Sequence, residues 1–214
     1  MHDGAFRFDH TFELVVLRHG RTAWNQTGRF QGHSDIPLDE TGRAQAADLR
    51  TYLAHEDFTR AVASDLSRAS ETASIVLGGT GPSLELDARW REMRFGVWEG
   101  LTWTQIVERY PELTGRPAMS PRFYTPEGGE SFEELCARVR DALHDIDADA
   151  SDGEHVLVAT HAGPLHALLR VALGEPAADA LRVRFDPATV TRLELSPGGA
   201  RVLELNRSGA ASLP

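Results

Sequence analysis

The chain has 214 residues, 41% of them apolar and 25% charged, with a formal net charge of −10 and a single cysteine, Cys136. That length supports one domain with a sizeable core, while the acidic balance argues against a nucleic-acid partner, whose binders carry a basic face. All 22 basic residues are arginine, so lysine Schiff-base chemistry is excluded, and one cysteine forbids an intramolecular disulfide.

No stretch reaches signal-peptide or membrane-spanning length, and neither Cys-x-x-Cys nor His-Glu-x-x-His spacing occurs. The expectation is a single domain over residues 1–214, cytoplasmic, with no metal, no cofactor, no nucleic acid and no membrane. Residues 1–10 form a polar-aromatic lead-in. Residues 11–17 read as a strand, because Leu14-Val15-Val16-Leu17 is a short apolar, partly β-branched run. It stops on Arg18-His19-Gly20. Residues 20–37 are rich in Gly, Asn and Gln and read as an irregular loop. Thr41 opens a helix with Ala46, Leu49 and Leu53 on its apolar face.

Residues 60–63 make a second strand. Ser67 is expected to cap a helix to Leu77, placing Arg68 in a first turn whose backbone N–H groups favour an anion. A brief strand at 84–86 leads to a loop over 89–100 that carries Trp90, Arg91, Glu92, Arg94, Trp98 and Glu99. Thr102-x-x-Gln105 and Ser131-x-x-Glu134 are capping boxes. The first opens a helix to Tyr110; the second opens one with Phe132, Leu135, Val139, Ala142 and Ile146 along one stripe. Between them, four prolines and three glycines over 111–129 predict a long loop or lid.

Val156-Leu157-Val158-Ala159 is a second buried-strand run, followed by Thr160-His161-Ala162-Gly163 and a helix over 164–173. Two alternating runs, 190–195 and 201–205, flank Pro197-Gly198-Gly199 and predict an antiparallel hairpin. The order predicts an α/β fold: a mostly parallel central sheet with an antiparallel edge and helices on both faces.

Two apolar strands thus end on histidines, and ligands of open α/β sheets bind at the carboxyl ends of strands. If those strands are parallel neighbours, Arg18, His19, Arg68 and His161 share one rim. A phosphomonoester suits such a rim: two guanidiniums and an imidazole meet its oxygens, and a neutral His19 attacks phosphorus. Backbone N–H groups after His161 can complete the cradle, with Ala162 and Gly163 small enough for close approach. A carboxylic acid must protonate the leaving alkoxide; Glu92 is the candidate and Glu99 the second choice.

Leu17-Arg18-His19-Gly20-Arg21-Thr22 followed by Asn25 resembles the signature of the histidine phosphatase superfamily, the branch that contains cofactor-dependent phosphoglycerate mutases. Further blocks resemble the family in order: Gln31 to Leu38, Thr41-Gly42 with Gln45-Ala46, Ser64 to Ala73, Trp90-Arg91-Glu92-Met93, Gly96 to Gly100, Gly129-Glu130-Ser131 and Thr160 to Gly163. The resemblance implies a phosphate pocket of Arg18, His19, Arg68 and His161, phosphorylation of His19, and Glu92 as acid and base, with no metal. It implies a substrate-binding set of Asn25, Gln31, Arg21, Thr22, Ala162 and Gly163. Arg21 and Ala162 depart from residues common in relatives, Glu or Gln and Gly, and Arg21 would add positive potential at the mouth.

Glu92 is followed by Met93-Arg94-Phe95-Gly96 and the chain is short, which resembles the family's phosphatases more than its mutases. The implied activity is hydrolysis of a small phosphorylated metabolite, a sugar phosphate or similar, by a monomer or homodimer. The alternatives are a phosphoglycerate mutase and a non-catalytic phosphate-binding module. His33, His55, His166, Trp98 and Trp103 read as packing or capping residues, and Arg109, Arg116 and Arg122 as a solvated face.

Overall fold

The computed structural model describes residues 6–115, 125–181 and 183–209. The elements follow in order as β1 (Phe12–Arg18), α1 (Ala23–Gln26), α2 (Glu40–Tyr52), β2 (Arg60–Ala63), α3 (Ser67–Leu77) and β3 (Leu84–Leu86). Then come α4 (Trp103–Arg109), α5 (Phe132–Asp149), β4 (His155–Thr160), α6 (Ala162–Leu173), α7 (Glu175–Leu181), β5 (Thr189–Ser196) and β6 (Gly199–Ser208). All six strands form one sheet in the order β3-β2-β4-β1-β5-β6. The first four run parallel, β5 runs antiparallel to β1, and β6 to β5. The predicted architecture is therefore the observed one.

Alternation along β1 explains its unbroken apolar run. Leu14 and Val16 face a core with α5 and α6, while Val15 and Leu17 face a core with Leu49 of α2 and Ala73 of α3. A strand covered on both faces has no polar side to show. Its register with β4 pairs Leu17 with Ala159 and Arg18 with Thr160, so both strands end level and their histidines meet on one rim. That meeting requires glycine beside it. A Cβ on Gly20 would lie 2.4 Å from the Gly42 carbonyl oxygen, and one on Gly42 would lie 2.1 Å from that of Arg21. Only two backbones without side chains let the end of β1 touch the first turn of α2.

Several helix starts differ from expectation. Helix α2 opens at Glu40, one residue before the expected Thr41, because Asp39 caps it by accepting from Gly42 N–H at 2.8 Å. Ser67 does not cap α3: its own N–H and hydroxyl both donate to Asp35, at 2.8 and 2.7 Å. A carboxylate delivered from the preceding loop thus satisfies the helix end. Helix α6 begins at Ala162, two residues before Pro164, because His161 is already extended and serves as its cap position. The two capping boxes at Thr102 and Ser131 are present as written.

The loop over 89–100 contains two single 3₁₀ turns, Ala88–Trp90 and Gly96–Trp98. Residues 116–124 of the expected lid, with Arg116 and Arg122, lie outside the described residues. No helix among the described residues is long and apolar enough to cross a membrane.

Candidate active site

A cavity of about 210 Å³ opens at the carboxyl ends of β1 and β4. Arg18, His19, Asn25, Gln31, Arg68, Glu92, Ala162 and Gly163 all line it. His19 is 2% exposed and continues directly from β1, its N–H donating to the Thr160 carbonyl at 2.9 Å. Its ring Nδ1–H donates to the Gly20 carbonyl at 2.7 Å. A carbonyl can only accept, so this bond fixes the tautomer and leaves the lone pair on Nε2. Burial, then the charges of Arg68 and Arg18, hold the imidazole well below its ordinary 6.5. The ring is therefore a neutral base between two cations, which is the state a nucleophile needs.

Arg68 reaches the site from the first turn of α3 and is fully buried. Its Nε–H donates to His161 Nδ1 at 3.2 Å, and its two terminal nitrogens donate to the carbonyls of Ser34 (2.9 Å) and Gly32 (2.8 Å). Five N–H groups less three leave two donors uncommitted. Burial lowers its pKa to about 10, which still leaves it cationic at neutral pH. Arg18 donates through Nη1 to the Phe185 carbonyl, and its buried Nε–H has no partner among the described residues. Burial lowers its pKa too, partly opposed by the charge of Glu92. Two desolvated guanidiniums with donors to spare make a ready anion site.

Glu92 stands against this floor, with Oε1 accepting from the backbone N–H groups of Met93 (2.8 Å) and Gly163 (2.9 Å). A Cβ on Gly163 would lie 2.3 Å from that oxygen, so the glycine makes room for the carboxylate. The Gly163 N–H, expected to serve a ligand, is engaged by Glu92 in this structure. His161 is likewise engaged by protein groups. Expected as a further phosphate donor, it is fully buried behind the cavity, with Nδ1 accepting from Arg68 and Nε2 donating to Ser64 Oγ at 2.9 Å. Its ring lies 5.0 Å from that of His19. Both nitrogens are thus spent on holding Arg68 and the end of β2.

Arg21 and Thr22 are the other departures. Arg21 turns to α2, pairing with Asp39 at 2.8 Å and donating to Thr41 at 2.8 Å, and it does not line the cavity. Thr22 is buried as the cap of α1; its hydroxyl oxygen lies 3.0 Å from Gln31 Oε1 and 3.1 Å from Asn25 Oδ1. It orients two amides whose NH₂ groups remain for the cavity. The second-choice acid, Glu99, accepts from the N–H groups of His33 (3.0 Å), Ser34 (2.9 Å) and Phe95 (3.2 Å) and from the Ser34 hydroxyl (2.6 Å). A carboxylate bound to four donors shapes loops; it does not line the cavity.

Two residues outside the expected site hold Glu92 in place. Arg138 of α5 donates to the carbonyls of Arg89 (2.6 Å), Arg91 (2.7 Å) and Glu92 (2.9 Å). Its remaining reach goes to Glu130 at 2.6 and 3.1 Å, and Glu130 in turn accepts from Arg94 N–H at 2.8 Å. Nothing in the spacing of Arg138 marked it, because its partners are carbonyls 46 to 49 residues away. The cavity also takes Phe30, Met93, Phe95, Trp98, His166 and Phe185 in its walls. His166 was read as packing, and its ring does meet Phe185 at 5.0 Å.

Elsewhere, among the described residues, Glu13, Glu56 and His155 bring metal-ligand atoms within 4.8 Å of one another. The Arg192 guanidinium already bridges Glu13 (2.8 Å), Glu56 (2.7 Å) and Glu204 (3.1 Å), so the cluster is an ion network remote from the cavity.

The neutral state of the two buried histidines has a measurable consequence. His161, like His19, is held well below 6.5, first by burial and then by Arg68. Below 6.5 the unfolded chain takes up protons that these folded rings refuse, so their contribution to stability falls as pH drops from 6.5 towards their depressed values. Ring ¹⁵N NMR is expected to show both as single neutral tautomers, with no titration near 6.5. A midpoint near 6.5 for His19 would contradict the assigned state.

The chain matches the model of the histidine phosphatase superfamily (branch 1) over residues 14–208. An adenosylcobalamin/α-ribazole phosphatase of Salmonella typhimurium is 32% identical over 200 residues, covering 90% of this chain and 95% of that protein. A bifunctional protein of Mycobacterium tuberculosis is 35% identical over 198 residues, 92% of this chain. The chain spans 54% of the length of that relative, about half. Among solved structures, a mycobacterial glucosyl-3-phosphoglycerate phosphatase complexed with VO3 superposes with a TM-score of 0.80 at 31% identity, covering 92% of this chain and 99% of that one. With the family model spanning every element from β1 to β6, and the geometry of an anion floor with a buried neutral histidine, the chain belongs to the histidine phosphatase superfamily.

Proposed function

We propose that the protein is a phosphomonoesterase that hydrolyses a small phosphate ester through a phosphohistidine on His19, with Glu92 as acid and base. The observation that carries this reading is the Nδ1–H to Gly20 carbonyl bond, which leaves Nε2 as the nucleophilic nitrogen between Arg18 and Arg68. The uncommitted N–H groups of both arginines take the equatorial oxygens of the phosphoryl group, with the amides of Asn25 and Gln31 beside them. The Nε2 lone pair forms the N–P bond as the ester P–O bond breaks. The departing oxygen takes a proton from Glu92 Oε2, since Oε1 is held by two N–H donors. Water then attacks phosphorus, gives its proton to the Glu92 carboxylate, and releases orthophosphate and neutral His19.

Two guanidiniums supply the charge compensation, so this route calls for no metal ion. Phosphate release from a panel of phosphomonoesters in EDTA is the test. Turnover without a primer supports the hydrolase reading. Turnover that appears only with a bisphosphoglycerate primer and yields an isomerised ester, with no phosphate released, would replace it by the mutase reading.

The strap from Arg138 to the Glu92 loop gives a second expectation. Arg138→Met should lower kcat for alkyl esters about tenfold or more, because a misplaced acid costs rate only where the leaving group needs its proton. For p-nitrophenyl phosphate, whose leaving group needs none, the first-turnover release of nitrophenol should keep its wild-type rate, and any slowing should fall on hydrolysis of the phosphohistidine, where the same carboxylate is the base. Equal losses in the first-turnover rate on both esters would mean that Arg138 merely supports the fold.

A further inference from the structure

The positive charge of the cavity does not stop at its floor. Arg18, Arg68, Arg29 and Arg184 all line it, against one carboxylate, Glu92. The chain carries 32 acidic residues and 22 basic ones, and elsewhere its arginines sit with carboxylates, as Arg21 does with Asp39, Arg43 with Glu71 and Arg91 with Asp65. A phosphomonoester dianion offsets Arg18 and Arg68, which leaves Arg29 and Arg184 over. Arg29 is tied through Nη1 to the Gly100 carbonyl at 2.6 Å and has no carboxylate partner among the described residues. Arg184 is exposed, and its side chain makes no hydrogen bond or ion pair with a described residue.

The Arg184 backbone, by contrast, is fixed. Asn206 donates from Nδ2 to the Arg184 carbonyl at 2.9 Å and accepts the Asp186 N–H on Oδ1 at 2.9 Å, from a left-handed backbone (φ 53°) that asparagine tolerates. Asp186 turns its Oδ2 to the same amide at 3.3 Å and does not pair with Arg184. Between the two, Phe185 is buried in the cavity wall, with its carbonyl on Arg18. Beside burial, the Arg184 charge lowers the Arg18 pKa, so both guanidiniums act on one space.

From this surplus we infer that Arg184 is a specificity residue, and that it takes a second anionic group, a carboxylate or a further phosphate, carried by the alcohol of the substrate. The inference rests on the hydrolytic reading above. A guanidinium with its donors uncommitted, on a backbone already held, offers either anion a forked, charge-assisted bond. Little ordering remains to be paid in the segment that carries it. Arg29 adds positive potential to the same space, whereas a neutral alcohol would leave both charges unmet. Size agrees with a compact dianionic or trianionic metabolite, since the cavity offers about 210 Å³ for the phosphate and its alcohol together.

The test holds the phosphate ester constant and changes only the second charge. The phosphate esters of 4-hydroxybutyric and 5-hydroxypentanoic acids are compared with their methyl carboxylates, and butane-1,4-diol bisphosphate with the diol monophosphate. All are esters of primary alcohols, so intrinsic reactivity is matched within each pair. The charged member is expected to exceed its partner in kcat/KM about tenfold or more, the yield of one charge-assisted hydrogen bond. The pair with the larger ratio identifies the anion as carboxylate or phosphate. Arg184→Met should bring that ratio to about one, with the change in KM and not in kcat, because Arg184 serves neither phosphorus nor the leaving oxygen. A ratio of one in every pair for the wild type would overturn the inference. So would a ratio that survives Arg184→Met, or a loss shared equally by charged and uncharged esters, which would reduce Arg184 to a general attraction for phosphate. If no ester turns over, the hydrolytic reading fails, and calorimetric affinities decide the role of Arg184 separately. Tenfold tighter binding of the charged member, lost in Arg184→Met, would uphold it, and equal binding would refute it.

Discussion

His19→Ala is expected to abolish turnover, by at least about 10³-fold, while leaving the far-UV spectrum and the thermal transition close to wild type. The size follows from what is removed. His19 is the group that forms the covalent bond, and it is the histidine set between Arg18 and Arg68, whereas His166 in the cavity wall packs on Phe185. Its nearest substitute, His161, has Nδ1 against Arg68 and Nε2 against Ser64, behind the lining of the cavity. The fold survives because the His19 side chain carries little of its architecture: the strand is held through the His19 backbone, by Thr160 and Ala188, and not through the imidazole. Arg18 and Arg68 remain, so inorganic phosphate should still bind the variant. Retained turnover, measured as phosphate release, would defeat the assigned nucleophile. Loss of phosphate binding along with turnover would mean that the substitution had disturbed the floor.

Glu92→Gln is expected to be the next most damaging change and the more informative one. Gln keeps an oxygen for the N–H groups of Met93 and Gly163 and keeps the volume. It cannot give up a proton. Loss should therefore track the leaving group, about 10²–10⁴-fold for alkyl esters, the ordinary yield of general acid catalysis. For p-nitrophenyl phosphate the first step should proceed, and the block should move to hydrolysis of the phosphohistidine, where the carboxylate is needed as base. Steady-state kinetics would then show a burst of nitrophenol followed by slow turnover. A uniform loss with no burst would place the acid elsewhere and leave Glu92 as a structural carboxylate.

The fold was legible because its grammar is local. Four apolar residues, Leu14 to Leu17, can be read as a doubly covered strand without knowing what covers them, and the boxes at Thr102 and Ser131 declare their helices within four residues. The site was legible to the extent that it sits at strand ends: His19 follows β1 directly, and Arg68 opens α3. What could not be read were partnerships across distance. The pairing of Arg21 with Asp39, 18 residues on, was not legible from the motif that placed Arg21 at the mouth. Ser67 was taken as a cap because Asp35, 32 residues earlier, supplies the carboxylate. Arg138 binds backbone carbonyls, which leave no trace in residue type. Phe185 enters the wall from a segment with no periodicity to announce it.

The central claim is a covalent phosphate on His19, and rapid quenching tests it most directly. An ester labelled in its phosphoryl group is mixed with the enzyme, quenched in base within one turnover, and the labelled peptide is mapped. The account predicts an acid-labile, base-stable phosphate on the peptide that carries His19, formed and lost at rates that match turnover. Turnover without a labelled enzyme, or a label on any other residue, would contradict it.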